Sequence, residues 1–160
     1  MLETIDPATP ADFDRIDEVL RAAFPSPEEA VLVARLRKAG DMVLELVARG
    51  PDVVGYIAVS QMVAPKGWLC LAPLAVAPEA QGLRIGSQLT RAAVNFAAKV
   101  AKAPICVLGK VTFYERQGFS RARAAQMRSP YPIGSTMLAG PGDDSAQGEL
   151  IYPAAFDGLT

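Results

Sequence analysis

The sequence predicts a mixed α/β or α+β fold held in a single domain, residues 1–160. Three observations predict it. The chain has 160 residues, 51% of them apolar and 21% charged, which fills one core of ordinary size and is too apolar for a disordered chain. Apolar residues recur at helical spacing near the start and again after residue 85, while β-rich runs lie between and beyond them. No internal repeat and no long linker divides the chain.

Each element has its own signal. Thr9 caps a first helix, with Pro10 at its first position and Asp12 in its first turn. Phe13, Ile16, Leu20 and Phe24 then mark its inner face. Ser26-Pro27-Glu28-Glu29 opens a second helix as a capping box in which Glu29 reaches back, Val33 and Leu36 form its apolar side, and Gly40 stops it. Residues 42–49 and 53–63 read as a hairpin around Gly50-Pro51-Asp52. Residues 68–76 read as a third strand, and Pro73 inside it removes one ladder donor, so the sheet must part or find another partner there. A glycine-bearing turn over 78–86 leads into a helix over 85–102 with Ile85, Leu89, Ala92, Ala93, Phe96 and Val100 inward. Residues 105–108 form a short buried strand, 112–117 a short helix stopped by Gly118, and 135–139 and 149–152 two closing strands around the loop at 141–144.

Composition excludes several function classes. Lys and Arg total 16 against 17 Asp and Glu, so the electrostatic footprint of a nucleic-acid binder is missing. There is no histidine, which removes Ser-His-Asp triads, Cys-His pairs and histidine-bearing metal sites together. Cys70 and Cys106 each sit in an apolar run and read as small core residues. No signal peptide is visible at Met1-Leu2-Glu3-Thr4, and no apolar run approaches the ~20 residues of a membrane helix. These features lead to the expectation of a cytoplasmic protein with no metal and no membrane partner.

Two stretches carry chemistry. Gln81-Gly82-Leu83-Arg84-Ile85-Gly86-Ser87 bends from a strand into a helix, where converging N–H groups and the helix dipole suit an anion such as a pyrophosphate. A tight structural turn with two glycines is the plainer alternative. The turn lacks the Gly-Lys-Ser or Gly-Lys-Thr ending of a P-loop, and it lacks both the third glycine and the downstream acid of a dinucleotide fingerprint. The second stretch, Phe113-Tyr114-Glu115-Arg116-Gln117-Gly118-Phe119, places a tyrosine on a short helix just after a strand, where its hydroxyl either enters a cleft or tips a ring otherwise spent on packing.

Together these stretches resemble the GNAT superfamily of acyl-CoA-dependent N-acetyltransferases. Residues 74–89 are similar to its acetyl-CoA segment, Q/R-x-x-G-x-G/A after a strand, and residues 113–119 to its Y-x-x-x-G-F segment. The Leu108-Gly109 pair and the tail from Gly148 to Phe156 look most like the YhbS-like branch. The resemblance implies a mixed, mostly antiparallel sheet with a central splay, flanked by helices. It implies that acetyl-CoA is the co-substrate, with pantetheine along Leu74, Ala75 and Val76 and diphosphate on the amides of Gln81, Gly82, Leu83, Arg84, Ile85, Gly86 and Ser87. An amine would attack the thioester directly, the Val76 amide would polarise its carbonyl, and Tyr114 would be the general acid, protonated at neutral pH by virtue of an ordinary pKa of ~10.

The departures from the family pattern are Arg84, where a glycine is usual, and Lys110, where the branch carries Asp. Arg84 either keeps a helical conformation with its side chain outward, or crowds the phosphates, or helps neutralise them. Lys110 puts positive charge near the expected substrate mouth. Glu45 is a candidate general base, with an outward strand residue as its plainer reading. The expected partners are acetyl-CoA and a primary amine of a small molecule or protein, with a homodimer left open. A CoA-binding module without catalysis, a sensor or a subunit, is the competing reading.

Overall fold

The computed structural model describes residues 4–159. The hairpin signal at Gly50-Pro51-Asp52 is realised as β2 (Met42–Arg49) and β3 (Val53–Gln61), antiparallel, with Val47 facing Tyr56. β4 (Leu69–Val76) adds antiparallel to β3, and β5 (Ile105–Leu108) adds to β4 in parallel. β7 (Thr136–Ala139) closes one edge and β1 (Thr4–Pro7) the other, giving the order β1-β2-β3-β4-β5-β7. The sheet is mixed and mostly antiparallel, as the resemblance implied.

The sheet parts where Pro73 predicts it. β4 and β5 pair only through Leu69–Ile105, Cys70–Cys106 and Leu71–Val107. Beyond Leu71 the register of β4 against β3 slips, since Ile57 faces Leu74 while Val59 faces Leu71. An irregularity at a residue with no N–H bends the strand away from its neighbour. Ala77, just past the strand, donates its N–H to Val54 O at 2.8 Å. Strand alternation therefore turns the amides of Leu74 and Val76 to the other side, into the gap left by β5.

Helices cover both faces. α1 (Phe13–Ala23) and part of α2 (Glu28–Ala39) bury Ile16, Leu20 and Val33 against Val47, Tyr56 and Ala75. α3 (Ile85–Phe96) buries Ile85, Leu89 and Ala93 against the opposite face. It comes close because β3 carries Gly55, where a Cβ would stand 2.8 Å from Ile85 Cγ2 and 3.0 Å from Leu89 Cδ1. Between Ala97 and Ala101 this helix loosens into π turns and ends at left-handed Lys102. That change of pitch moves Ala97 inward and leaves Val100 69% exposed, against the inward place its spacing predicts.

Other boundaries differ where local signals were weak. β3 ends at Gln61, and α4 spans Val111–Glu115. The strand expected at 149–152 is shorter: β8 (Gly148–Glu149) pairs in parallel with β6 (Met127–Arg128), and Ile151 bridges to Ala64 alone. β1, β6 and the one-turn α5 (Arg121–Ala124) carry too few periodic residues to be read from sequence. The second helix also starts differently. Pro27 is its N-cap, Ser26 Oγ accepts from Glu28 N–H at 3.4 Å, and Glu29 does not reach back to close a capping box. None of the described helices is long and apolar enough to cross a membrane.

Candidate active site

The gap between β4 and β5 opens two cavities that share the walls Phe24, Leu74 and Tyr114. The larger, about 680 Å³, runs from Ala75 and Val76 across the turn Gln81–Ser87 to α4. The smaller, about 280 Å³, lies beyond Pro73 under the C-terminal segment. Leu83 is exposed beside the larger cavity and does not line it; every other residue proposed from sequence for the cofactor lies on its wall.

The turn is built to leave amides free. Gly82 has φ +84° and Arg84 has φ +63°, both left-handed. Gln81 Nε2 donates to Val76 O at 3.1 Å and ties the turn to the end of β4. Within the described residues no backbone carbonyl accepts an N–H from Gly82 through Ser87. Unpaired amides at the start of a 12-residue helix are an anion site by geometry and by dipole. The left-handed angle explains why glycine suits position 84. It overturns the first option for Arg84, an ordinary helical conformation.

Electrostatics separate the two cavities. Arg84, Lys110 and Arg116 line the larger one, with no carboxylate among the described residues on its wall. Glu28 and Glu29 line the smaller one, with no Lys or Arg among the described residues. Lys110 therefore stands with the other cations of the larger cavity and does not line the smaller one. Charge of opposite sign on either side of Tyr114 sorts an anionic ligand from a cationic one.

Tyr114 stands between them on α4. Its ring meets Phe113 and Phe119 edge-on, with centroids 4.9 and 5.7 Å away. Burial pushes its hydroxyl up to about 12, with a smaller push from the neighbouring Cys70 thiol, so it is a proton donor throughout the neutral range. Gln117 holds the helix that carries it: Nε2 donates to Ser87 Oγ at 3.2 Å and Oε1 accepts from Arg91 Nε at 2.8 Å. This link between α3 and α4 was missed in the sequence, where Gln117 has no periodic or motif signal of its own.

Glu45 is not in either cavity. Its Oε1 accepts from Tyr56 Oη at 2.7 Å and pairs with Arg37 at 2.8 Å beneath α2. It is neither an outward residue nor a base near a substrate, and burial beside this carboxylate drives the Tyr56 hydroxyl upward. Glu29, read from sequence as a cap, lines the smaller cavity instead, and its Oε1 is buried with no hydrogen-bond partner among the described residues. Cys70 and Cys106 are free and buried, as expected, although Cys70 also reaches the cavity wall. Residues 24–30 and 128–135 contribute wall residues to the smaller cavity, through Phe24, Glu28, Glu29 and Tyr131.

Comparison with known proteins agrees with this architecture. The family described as acetyltransferase (GNAT) domain matches residues 31–121. The N-acetyltransferase YhbS of Escherichia coli K12 is 35% identical over 129 residues, 77% of each chain. YjhQ of the same organism is 35% identical over 133 residues, 77% of this chain and 73% of that one. The crystal structure of Escherichia coli YhbS in complex with CoA superposes with a TM-score of 0.89 at 30% identity, covering 98% of this chain and 93% of that one. A GNAT acetyltransferase from Brucella melitensis in complex with acetyl-CoA gives 0.81 at 32% identity, covering 96% and 97%. With this fold, this turn and these relatives, the chain belongs to the GNAT acetyltransferase family.

Proposed function

We propose that the protein transfers an acetyl group from acetyl-CoA to a primary amine by direct attack in a ternary complex. The observation that carries this reading is the pair of oppositely charged cavities meeting at Tyr114. The free amides of Gly82 to Ser87 hold the diphosphate, assisted by the cations of the larger cavity. The pantetheine arm lies along Leu74, Ala75 and Val76, pairing with the strand amides that β5 leaves unpaired. The Val76 amide donates to the thioester oxygen and stabilises the charge that develops there. Attack comes from the smaller cavity, the C–S bond breaks, and Tyr114 gives its proton to the leaving thiolate. Two relatives bound to CoA or acetyl-CoA support the co-substrate.

Calorimetry with acetyl-CoA and thiol release across an amine panel test this reading. Tyr114→Phe is expected to keep acetyl-CoA binding and lower turnover by about 10²-fold or more, the usual worth of a positioned general acid. Binding without thiol release for every amine would reject the transferase reading in favour of a non-catalytic CoA-binding module.

A further inference from the structure

We propose that Glu29 is the general base, and that the acceptor is a small primary amine with an apolar body whose ammonium group Glu29 receives. The inference rests on the transferase reading above and adds to it the base and the substrate class. Three observations carry it. First, Glu29 lines the smaller cavity, and its Oε1 is buried with no partner among the described residues. A buried acceptor left unmade is costly, so its place is explained by a donor that arrives with substrate. The capping bond that would have explained Glu29 locally is not formed.

Second, the charged residues that line the cavity, Glu28 and Glu29, are both acidic. Glu28 is beside Glu29 on α2, Tyr114 reaches in from α4, Tyr131 and Tyr152 from the C-terminal third, and Cys70 from β4. Among the described residues no Lys or Arg lines the cavity, so a carboxylate or phosphate on the acceptor finds no counter-charge there. Third, the remaining wall is aromatic and aliphatic. The rings of Tyr131 and Tyr152 meet edge-on at 4.9 Å, and Tyr152 meets Phe156 at 5.2 Å. Arg35 ties this segment to α2 by donating to Ala155 O and Asp157 O at 3.2 and 3.0 Å. The resulting cavity of about 280 Å³ takes a small apolar body, and its ring faces favour a cation at the rim.

The proton balance is complete. The ammonium gives one proton to the Glu29 carboxylate, and the freed lone pair forms the C–N bond at the thioester carbon. The C–S bond breaks and the sulfur takes the Tyr114 proton. The new amide nitrogen loses its surplus proton, which restores the tyrosine, and Glu29 releases its proton to water. The sum is amide, free thiol and one proton.

The test compares the intact protein with Glu29→Gln and Glu29→Asp, using 2-phenylethylamine, n-hexylamine, spermidine and glycine as acceptors. The wild type is expected to prefer the two apolar monoamines. Glu29→Gln is expected to lower kcat/KM for them by about 10²-fold or more. Its residual rate should climb with pH as free amine accumulates, and Glu29→Asp should recover part of the loss. Acetyl-CoA affinity, unchanged in both variants, confirms that they fold. Wild-type kcat/KM in Glu29→Gln, or a preference for glycine or spermidine, overturns this inference and leaves the transferase reading standing. A wild type that binds acetyl-CoA and acetylates none of the amines overturns both.

Discussion

A Cβ on Gly109 would lie 2.7 Å from Cε2 of Tyr114, well inside van der Waals contact. Gly109 N–H donates to Ser135 O at 3.0 Å, which anchors the end of β5, while Tyr114 N–H donates to Lys110 O at 3.1 Å and starts α4. The ring is thus pressed against a backbone held from the other side. Leu108-Gly109 of the family resemblance has a physical meaning here: the missing side chain is the space in which the proposed acid stands.

Gly109→Ala should therefore act through Tyr114. Overpacking of this kind costs about 1–3 kcal/mol, and a displaced ring no longer presents its hydroxyl to the thioester. The expected outcome is a modest fall in Tm with a larger fall in kcat, while acetyl-CoA affinity changes little. A variant with wild-type kcat would mean that the ring position is not critical.

Arg84 combines a strained backbone with a charge that forms no ion pair among the described residues. A non-glycine residue at φ +63° carries a strain of about 1 kcal/mol, which Asn and Gly relieve. Arg84→Asn should hold or raise Tm. It should weaken acetyl-CoA binding at low salt and flatten the salt dependence, because one cation beside the turn is gone. Equal or tighter binding in Arg84→Asn or Arg84→Gly would dismiss a supporting role for the guanidinium.

Acid sensitivity should trace to Asp12. Arg49 donates to both of its carboxylate oxygens at 3.0 and 3.1 Å, and Thr9 N–H adds a third bond at 3.0 Å. The Arg49 hydrogen bonds, then the Thr9 amide, lower its pKa from 3.8 to about 2. A carboxylate held lower in the folded chain than in the unfolded one stabilises the fold above the unfolded value. That contribution fades as pH falls from about 4 toward 2. Denaturation of Asp12→Asn should show a deficit at neutral pH that shrinks over that window. A deficit independent of pH would assign the loss to packing.

Local signals wrote much of this molecule. The hairpin around Gly50-Pro51-Asp52, the Gly82 to Ser87 turn and the Tyr114 helix are short-range devices, each specified by the residues that form it. Pro73 even marks where the sheet opens, because a missing N–H is a covalent fact. Long-range placement was not written locally. Nothing near Glu45 announces that Arg37 and Tyr56 will enclose it, and nothing near Glu29 distinguishes a capping acid from one turned into a cavity. Nothing near Lys110 announces that it will share a cavity wall with Arg84 and Arg116. Backbone preference and hydrophobic period act over a few residues, so sequence determined the elements and the turn of unpaired amides before α3. Which charges face one another across the opened sheet depends on packing between distant segments, and only the tertiary structure decided it.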